Sequence, residues 1–284
     1  MLMLAAAPGY GAALSGESAL EFTRQVVEIG PRAPGTEGHR RVQAFILAQL
    51  KQWDCEVIED AFTAATPNGK IGMKNIIARF PGSSGKAVVI SGHYDTKWLP
   101  DIRFVGANDA GSSTGLLLEL ARVLSGQKRK HDVYLVWFDG EESFGPWSET
   151  DGAYGSRHLA ERWDREGFLP KIVALINLDM VGDQDLGIRQ DYYSTRSLLR
   201  LIWQAAAALG YERHFLNEPG AVDDDHVPFL KRGVTAVDLI DFDFGPNNSY
   251  WHTEQDTMDK LSAGSLAVVG NVVLEVIRRL EERY

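Results

Sequence analysis

The sequence predicts a single α/β domain, a mostly parallel, mixed central sheet sandwiched by helices. Three observations carry that prediction. Short apolar runs such as Val88-Val89-Ile90 and residues 133–138 alternate with segments whose apolar residues recur at helical spacing. These runs are apolar throughout, as in strands covered on both faces of a parallel sheet. The 284 residues are 44% hydrophobic and 24% charged, an ordinary globular composition, and no linker, repeat or low-complexity stretch divides them.

The elements follow in order. Residues 17–29 read as a helix stopped by Gly30-Pro31. A second helix starts near Thr36-Glu37 and runs to Trp53, with Val42, Phe45, Ile46 and Leu50 on one face. Residues 56–62 and 74–80 read as strands about a turn at Pro67-Asn68-Gly69. A strand over 86–91, a helix over 112–124 and a strand over 132–138 come next. A helix over 155–163 leads to a strand over 172–178, a helix over 195–209 and a strand over 234–240. A long helix over 262–282 ends the chain, with Leu266, Val269, Val273, Leu274 and Ile277 at core spacing. The domain is expected over 16–284. Residues 1–15 are read as a flexible tail or the remnant of a signal peptide. They are apolar and small but lack a basic n-region, and the reading leans to export.

The formal net charge of −10 and the absence of a basic stripe argue against a nucleic-acid partner. A single cysteine, Cys55, excludes an intrachain disulfide. No run reaches the ~18 apolar residues of a membrane span. Nothing in the sequence sets the oligomeric state.

Chemistry concentrates where strands end. In α/β sheets reactive groups gather beyond the carboxyl ends of the strands. His93-Tyr94-Asp95 follows the strand at 86–91, and a loop then reaches Asn108-Asp109-Ala110-Gly111. Asp139-Gly140-Glu141-Glu142 follows the strand at 132–138. Asp179 follows 172–178, and a loop after 234–240 ends at Trp251-His252-Thr253. Asp223-Asp224-Asp225-His226 precedes a short helix. His, Asp and Glu are nitrogen and oxygen ligands of zinc. Two adjacent glutamates repel unless a cation or a proton lies between them. If the chain stays extended there, they point to opposite sides. One can then hold a metal while the other faces substrate. His39, His131, His158 and His214 lack acidic companions at strand ends and are read as structural.

The order His-x-Asp, Asp, Glu-Glu, Asp, His resembles the zinc aminopeptidases of the M28 type, as does His252-Thr253-Glu254-Gln255-Asp256-Thr257. A closer resemblance is to the glutaminyl-peptide cyclotransferases (glutaminyl cyclases) of that superfamily. It rests on residues 138–144, Trp147-Ser148 and 154–160, and on 93–97, 104–109, 224–234 and Trp251-His252-Thr253. The insertion carrying Trp147 is the cyclase mark. The resemblance implies one zinc held by Asp109, Glu142 and His252, with Glu141 as general acid/base. It makes Asp179 and Asp224 a hydrogen-bonded acid pair beside the substrate amide, and Trp147 and Trp251 the walls of the pocket. The implied reaction is cyclisation of an N-terminal glutamine to pyroglutamate with loss of ammonia, and the implied partners are peptides or proteins bearing that residue.

The alternative is a two-zinc M28 aminopeptidase. Asp109 would bridge, His93 and Asp179 would join one zinc, Glu142 and His252 the other. Glu141 would then activate water. A non-catalytic binding module is the third reading, disfavoured by the intact Glu141 and ligand set. Two departures from the cyclase pattern stand out: Asp238, where a histidine is usual, and a longer loop over 241–250.

Overall fold

The computed structural model describes residues 13–284. Its strands are β1 (Glu56–Thr66), β2 (Gly69–Phe80), β3 (Ala87–His93), β4 (Asp132–Phe138), β5 (Ile172–Asp179), β6 (Ile188–Asp191), β7 (Phe215–Gly220) and β8 (Ala236–Ile240). Its α-helices are α1 (Gly16–Glu28), α2 (Glu37–Leu50), α3 (Ser113–Leu124), α4 (Tyr154–Arg165), α5 (Arg196–Ala208), α6 (Val227–Leu230) and α7 (Ala263–Arg283). Six strands form one sheet in the order β1-β2-β4-β3-β5-β8. The β3/β4, β3/β5 and β5/β8 pairings are parallel, whereas β1/β2 and β2/β4 are antiparallel. The sheet is therefore mixed, its antiparallel half being a hairpin added beside β4.

Strand alternation sends neighbouring side chains to opposite faces. Leu135 and Trp137 of β4 join Val88 and Ile90 of β3 in a core packed by α1, α2, α3, α5 and α7. Tyr134, Val136 and Phe138 join Val89 on the other face, under Leu159 and Trp163 of α4 and Phe229 of α6. Both faces are covered, which explains why these strands are apolar throughout. Each fully buried side chain of this kind, Leu135 or Phe138, contributes about 1.5–3 kcal/mol.

Helix starts obey local chemistry. Ser15, Thr36 and Ser262 accept hydrogen bonds from the backbone N–H groups of Ser18, His39 and Gly264. Most of the tail expected at 1–15 (residues 1–12) lies outside the described residues; Leu14 packs against the core and Ser15 caps α1.

The structure departs from expectation in three places. The hairpin strands run on to Thr66 and from Gly69, several residues past the apolar segments, because ladder hydrogen bonds continue through exposed positions. β6 and β7 form a separate two-stranded parallel sheet that the sequence does not announce. β7 carries Pro219 and Gly220 and is largely exposed, so no apolar alternation marks it. His39 and His158 do find acidic partners. His39 Nε2 lies 2.7 Å from Asp139 Oδ1 and His158 Nε2 3.2 Å from Asp60 Oδ1.

One buried cation ties the loops below the site. Arg32 is fully buried on the segment between α1 and α2. Its guanidinium donates to the carbonyls of Tyr94, Gly30, Val105 and Gly106 at 3.1, 3.3, 2.6 and 3.0 Å. Burial lowers its pKa to about 10, opposed by Asp256, Asp109 and Asp95, and it stays charged near neutral pH. Arg32→Met is expected to cost about 3–5 kcal/mol, since it strips the cation from a buried acidic cluster and orphans the carbonyls of Tyr94, Gly30 and Val105, while that of Gly106 keeps the Gly111 N–H. Urea unfolding of parent and variant measures this; a loss below about 1 kcal/mol would refute the assigned role.

Candidate active site

The predicted site residues converge beyond the carboxyl ends of β3, β4 and β5. His93 ends β3 and Asp179 ends β5. Asp109 lies in the tight turn Ala107–Ser112 that leads into α3. Glu141 and Glu142 follow β4, and His252 follows the loop after β8. The chain does not stay extended after β4: Gly140 has φ +67, and a Cβ there would come within 2.6 Å of Met73 Sδ. The glutamates are instead oriented by Asp95, whose carboxylate accepts the backbone N–H groups of Glu141 and Glu142 at 3.1 and 3.3 Å.

Two groups of ligand atoms share Asp109. His93 Nε2 lies 3.2 Å from both Asp109 Oδ1 and Asp179 Oδ1. His252 Nε2 lies 3.1 Å from Asp109 Oδ2 and 2.9 Å from Glu142 Oε1. The ligand atoms in each of these two groups lie within 4.8 Å of one another. Each imidazole nitrogen faces two carboxylate oxygens, yet a single N–H points well at only one. A tetrahedral zinc with ligand bonds near 2 Å would separate its ligands by about 3.3 Å, close to these spacings. Asp109 turns one oxygen to each group. The donors therefore fit zinc chemically and sterically, in either position.

Electrostatics point the same way. Burial pushes the Glu141 carboxyl well above its usual range, Glu142, Asp224 and Asp225 adding to the shift and His93 opposing it. Burial, with Asp109 and Asp224, raises Asp179 to about 7 against the pull of His93. Asp224 is likewise raised by burial. His252 loses to burial but gains more from Glu142 and Asp109, and stands at about 10. Asp109 is driven below the carboxylate range by hydrogen bonds from His252 and His93, which override its burial. A cation entering here must displace the proton that His252 holds.

A cavity of about 370 Å³ opens above these groups, lined by Asp109, Glu141, Glu142, Asp179, Asp224 and His252. Trp147, Trp251 and Phe242 also line it. Trp251 stacks on the His252 ring at 4.0 Å and packs edge-on against Phe242 at 5.0 Å. Trp147 is 38% exposed and lies against Gly152, where a Cβ would meet its ring at 2.6 Å. Only glycine leaves room for the indole in that position.

Several positioning residues had no role assigned from sequence. Asp256 accepts the N–H groups of Asn108 and Asp109 at 2.7 and 3.1 Å and so sets the Asp109 turn. Lys97 donates to Ser143 Oγ at 2.6 Å and stands 3.5 Å from Glu142 Oε2. Asp95 and Asp256 were visible within the His93-Tyr94-Asp95 and His252–Asp256 motifs, but nothing in the spacing said they hold backbone N–H groups. Asp238 is buried beneath the site and does not line the cavity. Its Oδ1 accepts from Asn177 Nδ2 at 3.1 Å, and Asn177 Oδ1 accepts from Ser91 Oγ at 2.8 Å.

Comparison with known proteins agrees with this geometry. Residues 75–277 match the model of peptidase family M28. A glutaminyl-peptide cyclotransferase of Drosophila melanogaster is 33% identical over 268 residues, covering 84% of this chain and 75% of the relative. The crystal structure of a glutaminyl cyclase from an Acidobacteriales bacterium superposes with a TM-score of 0.93 at 42% identity over 100% of both chains. A Zn-dependent exopeptidase from Parabacteroides distasonis gives 0.84 at 27% identity over 94% of this chain and 98% of that one. With the ligand groups, the buried glutamate and the tryptophan insertion assembled at one strand-end cavity, the chain belongs to peptidase family M28 and, within it, to the glutaminyl-peptide cyclotransferases.

Proposed function

We propose that this protein converts an N-terminal glutamine of peptides to pyroglutamate, releasing ammonia, with zinc as its cofactor. The α-amine attacks the side-chain carboxamide carbon. An N–C bond forms, the bond to the amide nitrogen breaks, and the proton lost by the amine leaves on ammonia. The observation that carries this reading is Glu141, buried at the wall of an aromatic-lined cavity beside the ligand groups.

Asp109, Glu142 and His252 would hold the catalytic zinc, which supplies Lewis-acid polarisation of a carbonyl when bound. Glu141 would take the proton from the amine and return it to the leaving nitrogen. A raised pKa suits a group that must both accept and donate near neutral pH. Asp179 and Asp224, both raised, would share a proton and donate it to the substrate amide. Trp147, Trp251 and Phe242 would pack against the glutamine side chain and keep water off the carboxamide, favouring the internal amine over hydrolysis.

One observation favours the aminopeptidase reading. Asp109 presents an oxygen to each ligand group, and His93 with Asp179 completes a second one. Under that reading Asp109, His93 and Asp179 would hold one zinc and Glu142 and His252 a second, and Glu141 would deprotonate the attacking water.

Parallel assays on Gln-β-naphthylamide and Leu-p-nitroanilide separate the two. Ammonia and the pyroglutamyl product are expected from the first and little turnover of the second, with activity lost on chelation and restored by zinc. Release of free amino acids by a protein holding two zincs would overturn the cyclase reading.

A further inference from the structure

The cavity does not end at Trp147. A groove of about 580 Å³ begins on the other side of that ring and shares two lining residues, Trp147 and Asp223, with the catalytic cavity. One wall is formed by Phe62 and its neighbours on β1, the edge strand of the sheet. The other carries Tyr154 at the start of α4 and Lys231 after α6. None of the ligand-bearing residues lines it. A substrate held by its first residue in a 370 Å³ cavity must lead the rest of its chain out through a shared boundary, and this groove opens at one.

The boundary is charged. Asp223 is exposed and, among the described residues, takes part in no hydrogen bond or ion pair. It directly precedes Asp224 and faces both spaces. Its neighbours Asp224 and Asp225 are buried, so Asp223 is the exposed member of this acidic run. An unpaired carboxylate at the exit of a cavity selects by charge.

We propose that the groove binds the extended peptide segment that follows the N-terminal residue, and that Asp223 favours a basic side chain immediately after that residue. This rests on the reading of the cavity as the seat of an N-terminal glutamine. Lys231, whose ammonium has no hydrogen bond or ion pair among the described residues, lies on the far wall and meets residues further along the segment.

The test uses the zinc-loaded protein and five-residue peptide amides with N-terminal glutamine and alanine elsewhere, except for Lys or Glu at the second position or Lys at the fifth. Binding is measured by rapid-mixing titration on Glu141→Gln, whose lowered turnover leaves the peptides intact over the mixing time, and KM on the parent. The second-position Lys peptide is expected to bind about 10-fold tighter than the Glu peptide at low salt, attraction replacing repulsion at an exposed carboxylate. The difference appears in KM rather than kcat. Lys at the fifth position gives no such gain, which separates Asp223 from the overall charge of −10. Asp223→Asn brings the ratio to within about twofold. Ala65→Trp, an exposed position on the groove's β1 wall, weakens all the five-residue peptides and leaves glutamine amide unchanged. A Lys preference that survives Asp223→Asn, or five-residue peptides indifferent to Ala65→Trp, would overturn the proposal. If the parent releases amino acids instead of ammonia, the cyclase reading fails, and the binding ratios still decide the groove.

Discussion

Glu141→Gln is expected to lower kcat by about 10²–10⁴ while zinc content stays at the parent level. The replacement keeps the size of the side chain, and the backbone N–H of residue 141 still reaches Asp95. What it removes is a buried group able to accept and return a proton. Glu142, Asp109 and His252 keep their mutual distances of 2.9 and 3.1 Å, so the metal position is untouched. Removing a negative charge from a crowded acidic cavity also relieves repulsion with Glu142 and Asp224, so stability should hold or rise slightly. Steady-state ammonia release gives kcat, and metal analysis of the purified variant gives occupancy. A variant with near-parental kcat would remove Glu141 from the chemistry. A variant that loses zinc would make it a ligand instead.

Asp109→Ala is expected to have the widest effect on metal binding, because this one carboxylate serves both ligand groups. Apparent zinc affinity should fall by more than about 100-fold, beyond the 10–100-fold cost of losing a residue that only orients a ligand. Activity at ordinary zinc concentrations should be lost with it. His93 keeps Asp179 and His252 keeps Glu142 as partners, so the fold should survive, and thermal unfolding checks this. Two companions separate the groups. Under the one-zinc reading Glu142→Gln behaves like Asp109→Ala, and His93→Ala retains one zinc per chain. Loss of one of two zincs in each companion would favour the paired-metal arrangement.

The fold was legible where burial and periodicity agreed. β4, over Asp132–Phe138, matches the strand its apolar run implies, because all seven residues are buried and the six after Asp132 are apolar or aromatic. β6 and β7 were not legible: they pair with each other at the surface, and their sequences record no face to be hidden. The sheet's mixed character was legible only in part: β2 and β4 are antiparallel neighbours although β3 and about fifty residues separate them in sequence, and periodicity alone does not set strand direction.

The site divides along a similar line. Asp109, Glu141, Glu142, Asp179, Asp224 and His252 stand out in the sequence because acids and histidines at the ends of apolar strands are costly without a purpose, and each does line the cavity. The residues that orient them were not legible as such. Asp95 and Asp256 act on backbone N–H groups, and Arg32 acts on backbone carbonyls, which carry no sequence identity. His39 had no visible partner because Asp139 lies 100 residues away.

By itself, then, the sequence determined the types of the main core elements and the family, and it singled out the acids and histidines that gather at the cavity, since these depend on side-chain chemistry and local periodicity. Tertiary structure alone decided that Asp109 faces two ligand groups, that Gly140 turns the chain so Asp95 can hold both glutamates, and that Trp147 with Asp223 divides the cavity from a second groove. Those are relations of distance and direction between segments far apart in the chain, and they exist only once the hydrophobic faces of the sheet and helices have packed.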